Sequence, residues 1–252
     1  MIYKYIGTSS PEESIKILEY FVNDGSIMAS NPRTFNDPSE FKVKYNFEAD
    51  KGIIQERFFV DNPSKSIHDF ESWYNSFNEN SKWYIGYETR KNLLHSTGVV
   101  CFTTESENYL MWSHYAKSHT GFCIGFDDEI LDTIESYQAK GPVEYSNEVP
   151  EFKYYSQTVE DFYKVVFFNK STSWAYEKEF RVVTDRCGIK KFNKSLIKEI
   201  IIGCKSPVEL DQFVRQYINT EIAVYHMIDL PSAYQLKKER MKHGHYVERC
   251  SF

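Results

Sequence analysis

The chain has no stretch approaching the ~20 consecutive apolar residues that span a bilayer, so no membrane partner is expected. Its first residues, Met1-Ile2-Tyr3-Lys4-Tyr5-Ile6, lack the long apolar core of a signal peptide, which points to a cytoplasmic protein. Cysteine is scarce. Cys101, Cys123, Cys187, Cys204 and Cys250 are odd in number, widely spaced and never in a CxxC pair. That spacing argues against a zinc knuckle and against a secreted disulfide framework. Cys101 and Cys123 sit in apolar runs and read as buried thiols. Also missing are GxGxxG, the phosphate-binding GxxxxGKS/T loop, the GxSxG elbow and HExxH. His114 and His119 are not at an i, i+4 spacing, and no metal is expected. Basic charge is in the minority, with 30 Lys and Arg against 36 Asp and Glu, a net charge of −6 and a pI near 5.7. Such a field repels the phosphates of a duplex. The one basic run, Lys237, Lys238, Arg240 and Lys242, reads as a solvated helix face, and His243 and His245 as a loose tail.

Aromatic side chains are abundant, at 17% of residues with 19 Tyr and 19 Phe. They favour strands, core and pocket walls. The hydrophobic fraction of 41% and charged fraction of 26% are those of a globular chain. With neither repeats nor a linker-like stretch, residues 1–252 read as a single α+β domain. Its short strands form a central mixed or antiparallel sheet, or two packed sheets, among helices.

Element signals are strongest near the ends of the chain. Ile2–Ile6 is β-branched and aromatic and predicts a strand. Ser9 or Ser10 with Pro11 and two glutamates starts a helix, whose Ile15, Leu18, Phe21 and Val22 recur at helical spacing until Asn23-Asp24-Gly25. Strands are also expected at 26–30, 98–104, 120–126, 143–145, 177–184, 197–202 and 222–228. Helices are expected at 108–116, from Asp127 onward, at 159–169 and at 207–217. Residues 42–95 are weakly periodic and read as helices with long connections, best at 53–60 and 66–79. Gly121 and Gly125, inside a strand, mark close backbone approach.

Three segments carry candidate chemistry. The first runs Trp174-Ala175-Tyr176-Glu177-Lys178-Glu179-Phe180-Arg181. A strand through it places Glu177, Glu179 and Arg181 on one face. Neighbouring carboxylates raise one another's pKa and the arginine lowers it again. Such a row suits stabilising a cationic transition state, and the spacing fits equally an exposed face of cross-strand ion pairs. Trp174 and Tyr176 favour a cleft. The second segment is Asn36-Asp37-Pro38-Ser39-Glu40, an Asx turn whose Asp37 or Glu40 is able to bond a ribose or a water, or simply cap the loop. The third is Met111-Trp112-Ser113-His114-Tyr115. A helix through it aligns Trp112, Tyr115 and His119, and makes Ser113 and His114 point apart.

Taken with Tyr3-Lys4-Tyr5, Cys101-Phe102-Thr103 and Gly121-Phe122-Cys123-Ile124-Gly125-Phe126, these blocks resemble a bacterial domain-of-unknown-function family found in defence and abortive-infection settings. A second resemblance is to ADP-ribosyltransferase-like toxins. It implies NAD as the small-molecule nucleotide ligand, used as a substrate, with an unassigned acceptor. Tyr3-Lys4-Tyr5 takes the place of the first-strand signature, with Lys4 where His or Arg is usual. Thr103-Thr104 takes the middle-strand place, and Glu177-Lys178-Glu179 the late-strand Glu-x-Glu. The resemblance implies that Glu179 binds the nicotinamide ribose, Glu177 activates the acceptor, and Tyr5 and Trp112 stack on a base. Two other readings stay open. A nuclease or phosphodiesterase would gather Asp37, Glu40, Glu177 and Glu179 around a metal. A non-catalytic binding module would leave Glu177 and Glu179 on an open sheet face.

Overall fold

The computed structural model describes residues 1–242. The elements in chain order are β1 (Ile2–Ile6), α1 (Pro11–Val22), β2 (Ser26–Ala29), β3 (Lys44–Asn46), α2 (Lys51–Asp61), α3 (Ile67–Ser76), α4 (Glu79–Ser96) and β4 (Gly98–Thr103). Next come α5 (Tyr109–Tyr115), β5 (Phe122–Phe126), α6 (Ile130–Thr133), β6 (Tyr137–Pro142), β7 (Glu144–Ser146), β8 (Glu151–Lys153), α7 (Val159–Phe167) and β9 (Asn169–Ser171). The chain then runs through β10 (Glu179–Thr184), β11 (Gly188–Lys191), β12 (Ile197–Ile202), α8 (Val208–Val214), β13 (Ala223–Asp229) and β14 (Leu236–Arg240).

One eight-stranded sheet, ordered β14-β13-β12-β5-β1-β4-β10-β6, gathers strands from both halves of the chain. It is antiparallel except between β12 and β13, so the fold is α+β with a mixed sheet. β5 lies at its middle and is buried at every residue, as a strand covered on both faces must be. One face packs Ile124, Phe126, Val182 and Ile200 against Leu18 and Phe21 of α1 and Leu210 of α8. The other carries Tyr3 and Tyr5 under α5, and Val99 and Val183 under α7 and the end of α4. Gly121 is required at the edge of this core, because a Cβ there would stand 2.1 Å from the Ile6 carbonyl oxygen.

Caps set several helix starts. Ser10 accepts from the Glu13 N–H, and Ser66–Asp69 and Thr158–Asp161 form capping boxes. Residues 42–95 hold three helices with short links, rather than long connections, and β3, which pairs with β8. α4 carries no apolar stripe, since only Gly86 and Leu94 are buried along it. β6, β8, β9, β11 and β14 were not expected; each is an edge or two-stranded element with little buried surface. The basic run at 237–242 is not a helix face. Residues 237–240 lie in the edge strand β14, where exposed Lys237 and Arg240 discourage further pairing and Lys238 bonds Glu199 at 2.6 Å. α6 is a single turn, and α8 gives way to a 3-10 turn after Val214. Cys123 is buried, but Cys101 is only partly so; both are free thiols, as is Cys187. His243, His245 and Cys250 lie outside the described residues. Among the described residues no helix is long and apolar enough to cross a membrane.

Candidate functional site

β1 and β4 pair only at Tyr3 and Thr103. Lys4 reaches over to β4 and donates to the Cys101 carbonyl at 3.3 Å. A cavity of about 100 Å³ is lined by both strands, by Met111 and Tyr115 of α5, by Phe35, Asn36 and Glu40 of the loop before β3, and by Lys170, Glu177 and Glu179. Tyr3, Lys4, Tyr5, Asn36, Glu40, Thr103, Tyr115, Glu177 and Glu179, all singled out in the sequence, thus converge on one wall system.

The register explains the floor. Glu179 pairs with Thr103 and Arg181 with Cys101, so their side chains share the face that carries Tyr3 and Tyr5. Glu177 reaches the same place differently from the expected strand. β10 begins at Glu179, and residues 172–177 form a 3-10 turn ended by Lys178 in the left-handed region at φ 42°. That turn replaces one strand repeat. Thr103 secures it by donating to the Glu177 carbonyl at 2.5 Å.

Three carboxylates and two cations form the core of the site. Arg181 is wholly buried and grips both oxygens of Glu179 at 2.8 Å, through Nε and Nη2. Its Nη2 also reaches Glu40 at 2.9 Å, and its Nη1 donates to the Phe167 carbonyl at 2.8 Å. Lys170 lies between Glu177 at 2.5 Å, Glu40 at 2.9 Å and Glu179 at 3.4 Å, with its ammonium 4.9 Å from the centre of the Trp174 ring. Among the described residues no group of three His, Cys, Asp or Glu is arranged to hold a metal ion. Nothing in the sequence around Lys170 announces its role, which arises only from carboxylates brought in from distant segments.

The two carboxyls of Glu-x-Glu are driven apart in acidity. Burial would raise Glu179, but the Arg181 guanidinium and then Lys170 outweigh it and hold the pKa at about 2. Glu177 moves the other way: burial raises its pKa, and the Glu179 charge adds to this against the pull of Lys170. Tyr115 donates to Glu177 at 2.5 Å, and burial followed by that bond pushes its own phenol upward. Burial also lowers Lys4 toward the neutral amine. The site thus holds an anion fixed by Arg181 beside a second carboxyl whose acidity is weakened by burial.

Other expected positions fall elsewhere. Trp112 is fully buried, donates to the Ser106 carbonyl at 2.8 Å and packs edge-on against Tyr5, so it is a core ring and presents no face to a ligand. Asp37 stays out of the cavity and caps its own loop through Ser39 N–H at 2.8 Å and Ser39 hydroxyl at 2.7 Å. Burial opposes the ionised form of Asp37, and these bonds hold its pKa below the usual value. Trp174 backs Lys170 without lining the cavity. His119 lies past the end of α5, in a left-handed run with Lys117 and Ser118, instead of completing a helix face. That run brings its Nε2 to 3.0 Å from the Ser113 hydroxyl, while His114 bonds Tyr176 at 2.9 Å. Phe41, also left-handed at φ 59°, is held by Arg90, which donates to the Phe41 and Glu40 carbonyls at 2.6 and 3.3 Å.

A family model described as Protein of unknown function (DUF2971) matches residues 111–182, from α5 through the middle of β10. The matched stretch carries Tyr115, Lys170, Glu177, Glu179 and Arg181. No curated protein and no solved structure matches the chain.

Proposed function

We propose that the cavity cleaves the N-glycosidic bond of NAD, either passing ADP-ribose to an acceptor or hydrolysing it. The observation that carries this reading is the split pair: Glu179 held ionised by Arg181 and Lys170, with Glu177 raised beside it. In such a reaction the C1′–N bond breaks and the electron pair leaves with neutral nicotinamide. The ribosyl centre becomes oxocarbenium-like. A fixed carboxylate facing that centre stabilises it, and water is a poor substitute because it must reorient. Glu177 takes the proton of the attacking hydroxyl, amine or water, a task suited to a carboxyl with a raised pKa. Lys4 and Asn36 line the same space and offer donors to ribose or carboxamide oxygens. Arg181 is buried behind Glu179 and acts through it as a positioning residue.

At about 100 Å³ the cavity is far smaller than the roughly 300–1,000 Å³ that hold whole ligands, so it takes one end of a dinucleotide. The resemblance of the sequence blocks supports a place in bacterial phage defence, in the cytoplasm. Release of nicotinamide from NAD by the wild-type protein and by Glu177→Gln and Glu179→Gln tests the reading, with circular dichroism as the folding control. The expected result is turnover by the wild type and a loss of about a hundredfold or more in Glu179→Gln. Absence of turnover together with absence of any NAD-induced rise in melting temperature would overturn it.

A further inference from the structure

Helix α4 presents a second, unassigned surface. Glu79, Lys82, Trp83, Gly86, Tyr87 and Arg90 recur at i, i+3, i+4, i+7, i+8 and i+11, which places them on one face. That face borders an open groove of about 650 Å³. Trp83 and Tyr87 stack on each other there with ring centres 5.2 Å apart and planes 9° from parallel, yet remain 68% and 49% exposed. A preformed aromatic pair left to solvent at this level is unusual, because burying it stabilises and exposing it does not.

One turn further on, Tyr87 and Arg90 also line a pocket of about 340 Å³ with Arg33, Lys91 and His95. Three cations, Arg33, Arg90 and Lys91, line it against two carboxylates, Asp37 and Glu40, and Lys91 is itself paired with Glu88 at 2.9 Å. Neither Arg33 nor Arg90 has a carboxylate within ion-pair distance among the described residues. Arg33 Nη1 lies 2.9 Å from His95 Nε2, and Arg90 spends Nε and Nη2 on backbone carbonyls. Most guanidinium N–H donors therefore remain free for an anion. Of the carboxylates lining the pocket, Asp37 is engaged by Ser39, and Glu40 by Arg181 and Lys170; in the adjoining groove Glu79 is held by Lys82 and Glu151 accepts from Asn46 at 3.1 Å, with Glu48 beside them.

We propose that this track binds a nucleoside monophosphate, its phosphate on Arg33 and Arg90 and its base against the Trp83–Tyr87 pair. Trp83 to Arg90 spans about 10 Å along the helix, the scale of such a ligand. Every base has a π-face, so the aromatic pair sets no strong base preference. The site stands apart from the glycosidic chemistry, since the pocket shares only Phe35 and Glu40 with the cavity.

Calorimetric titration with adenosine 5′-monophosphate tests it on the wild type, Arg33→Ala, Trp83→Ala and Glu179→Gln. Arg33 and Trp83 are exposed, so their loss leaves the fold intact. Each is expected to weaken binding by roughly tenfold, while Glu179→Gln binds as the wild type does. Ribose 5-phosphate is expected to depend on Arg33 alone and adenosine on Trp83 alone. No binding at millimolar ligand, or binding indifferent to both substitutions, overturns the proposal. Binding lost only in Glu179→Gln overturns it too, by moving the nucleotide into the cavity and favouring the reading proposed there.

Discussion

Replacing Arg181 by methionine removes a guanidinium that is fully buried and bonded to Glu179, Glu40 and the Phe167 carbonyl. Methionine fills much of the same volume, so the change isolates the charge. Lys170 is then the one cation left among three carboxylates. Breaking a buried pair by deleting one partner costs about 3–5 kcal/mol. The acidity of Glu179 points the same way, with burial opposed first by the Arg181 guanidinium and then by Lys170. Its fall from 4.5 to about 2 corresponds to about 3 kcal/mol at about 1.4 kcal/mol per unit. A carboxyl whose pKa is lower in the folded state stabilises the fold above its unfolded pKa and loses that contribution as pH falls toward the folded value. The window is therefore from about 4.5 down to about 2. Urea unfolding at pH 7 should show Arg181→Met less stable by about 3–5 kcal/mol, with the gap to wild type shrinking in acid. A loss under about 1 kcal/mol at pH 7, or a gap indifferent to acid, would refute the reasoning.

Other predictions rest on single contacts. Tyr115→Phe deletes the 2.5 Å bond to Glu177 and leaves its carboxylate less well satisfied. The acidic limb of the pH–turnover profile should then move upward, because the Tyr115 bond holds the Glu177 pKa down, read from nicotinamide release. Trp112→Phe loses the bond to the Ser106 carbonyl in the core, so urea unfolding should show about 1–3 kcal/mol of destabilisation while the KM for NAD stays unchanged. Gly121→Ala sets a methyl 2.1 Å from the Ile6 carbonyl oxygen and should cost at least about 2 kcal/mol, seen as a lowered melting temperature.

Where local signals agreed with tertiary demands, the sequence could be read directly. β4 and β5 are apolar runs, and β1 and β12 largely so, because both faces of their sheet are covered, and α1 announces itself by Ser10, Pro11 and its buried Leu18 and Phe21. α4 hid because it buries almost nothing and faces a groove, and β6 because it is a sheet edge with no fully buried residue. The cavity was partly legible. Glu179 and Arg181 share a face through the strand period, and Tyr3, Tyr5, Asn36, Thr103 and Tyr115, drawn from separate blocks, line the same cavity. Glu177 arrives by a left-handed turn at Lys178 that a period of two cannot anticipate. Trp112 misled because an aromatic on a helix facing the site and one buried beneath it have the same spacing. Lys170 was missed because a buried lysine is recognisable only from its partners, and Glu40 is 130 positions away from it.

A titration of the two glutamates by carbon-13 NMR, in protein labelled at the glutamate side-chain carboxyl, tests the divided pair most directly. The resonance of Glu179 should stay that of an ionised carboxylate down to about pH 4, while Glu177 titrates above the ordinary range for glutamate. Both residues titrating together near the ordinary value would contradict the account and remove the chemical basis for assigning them different tasks.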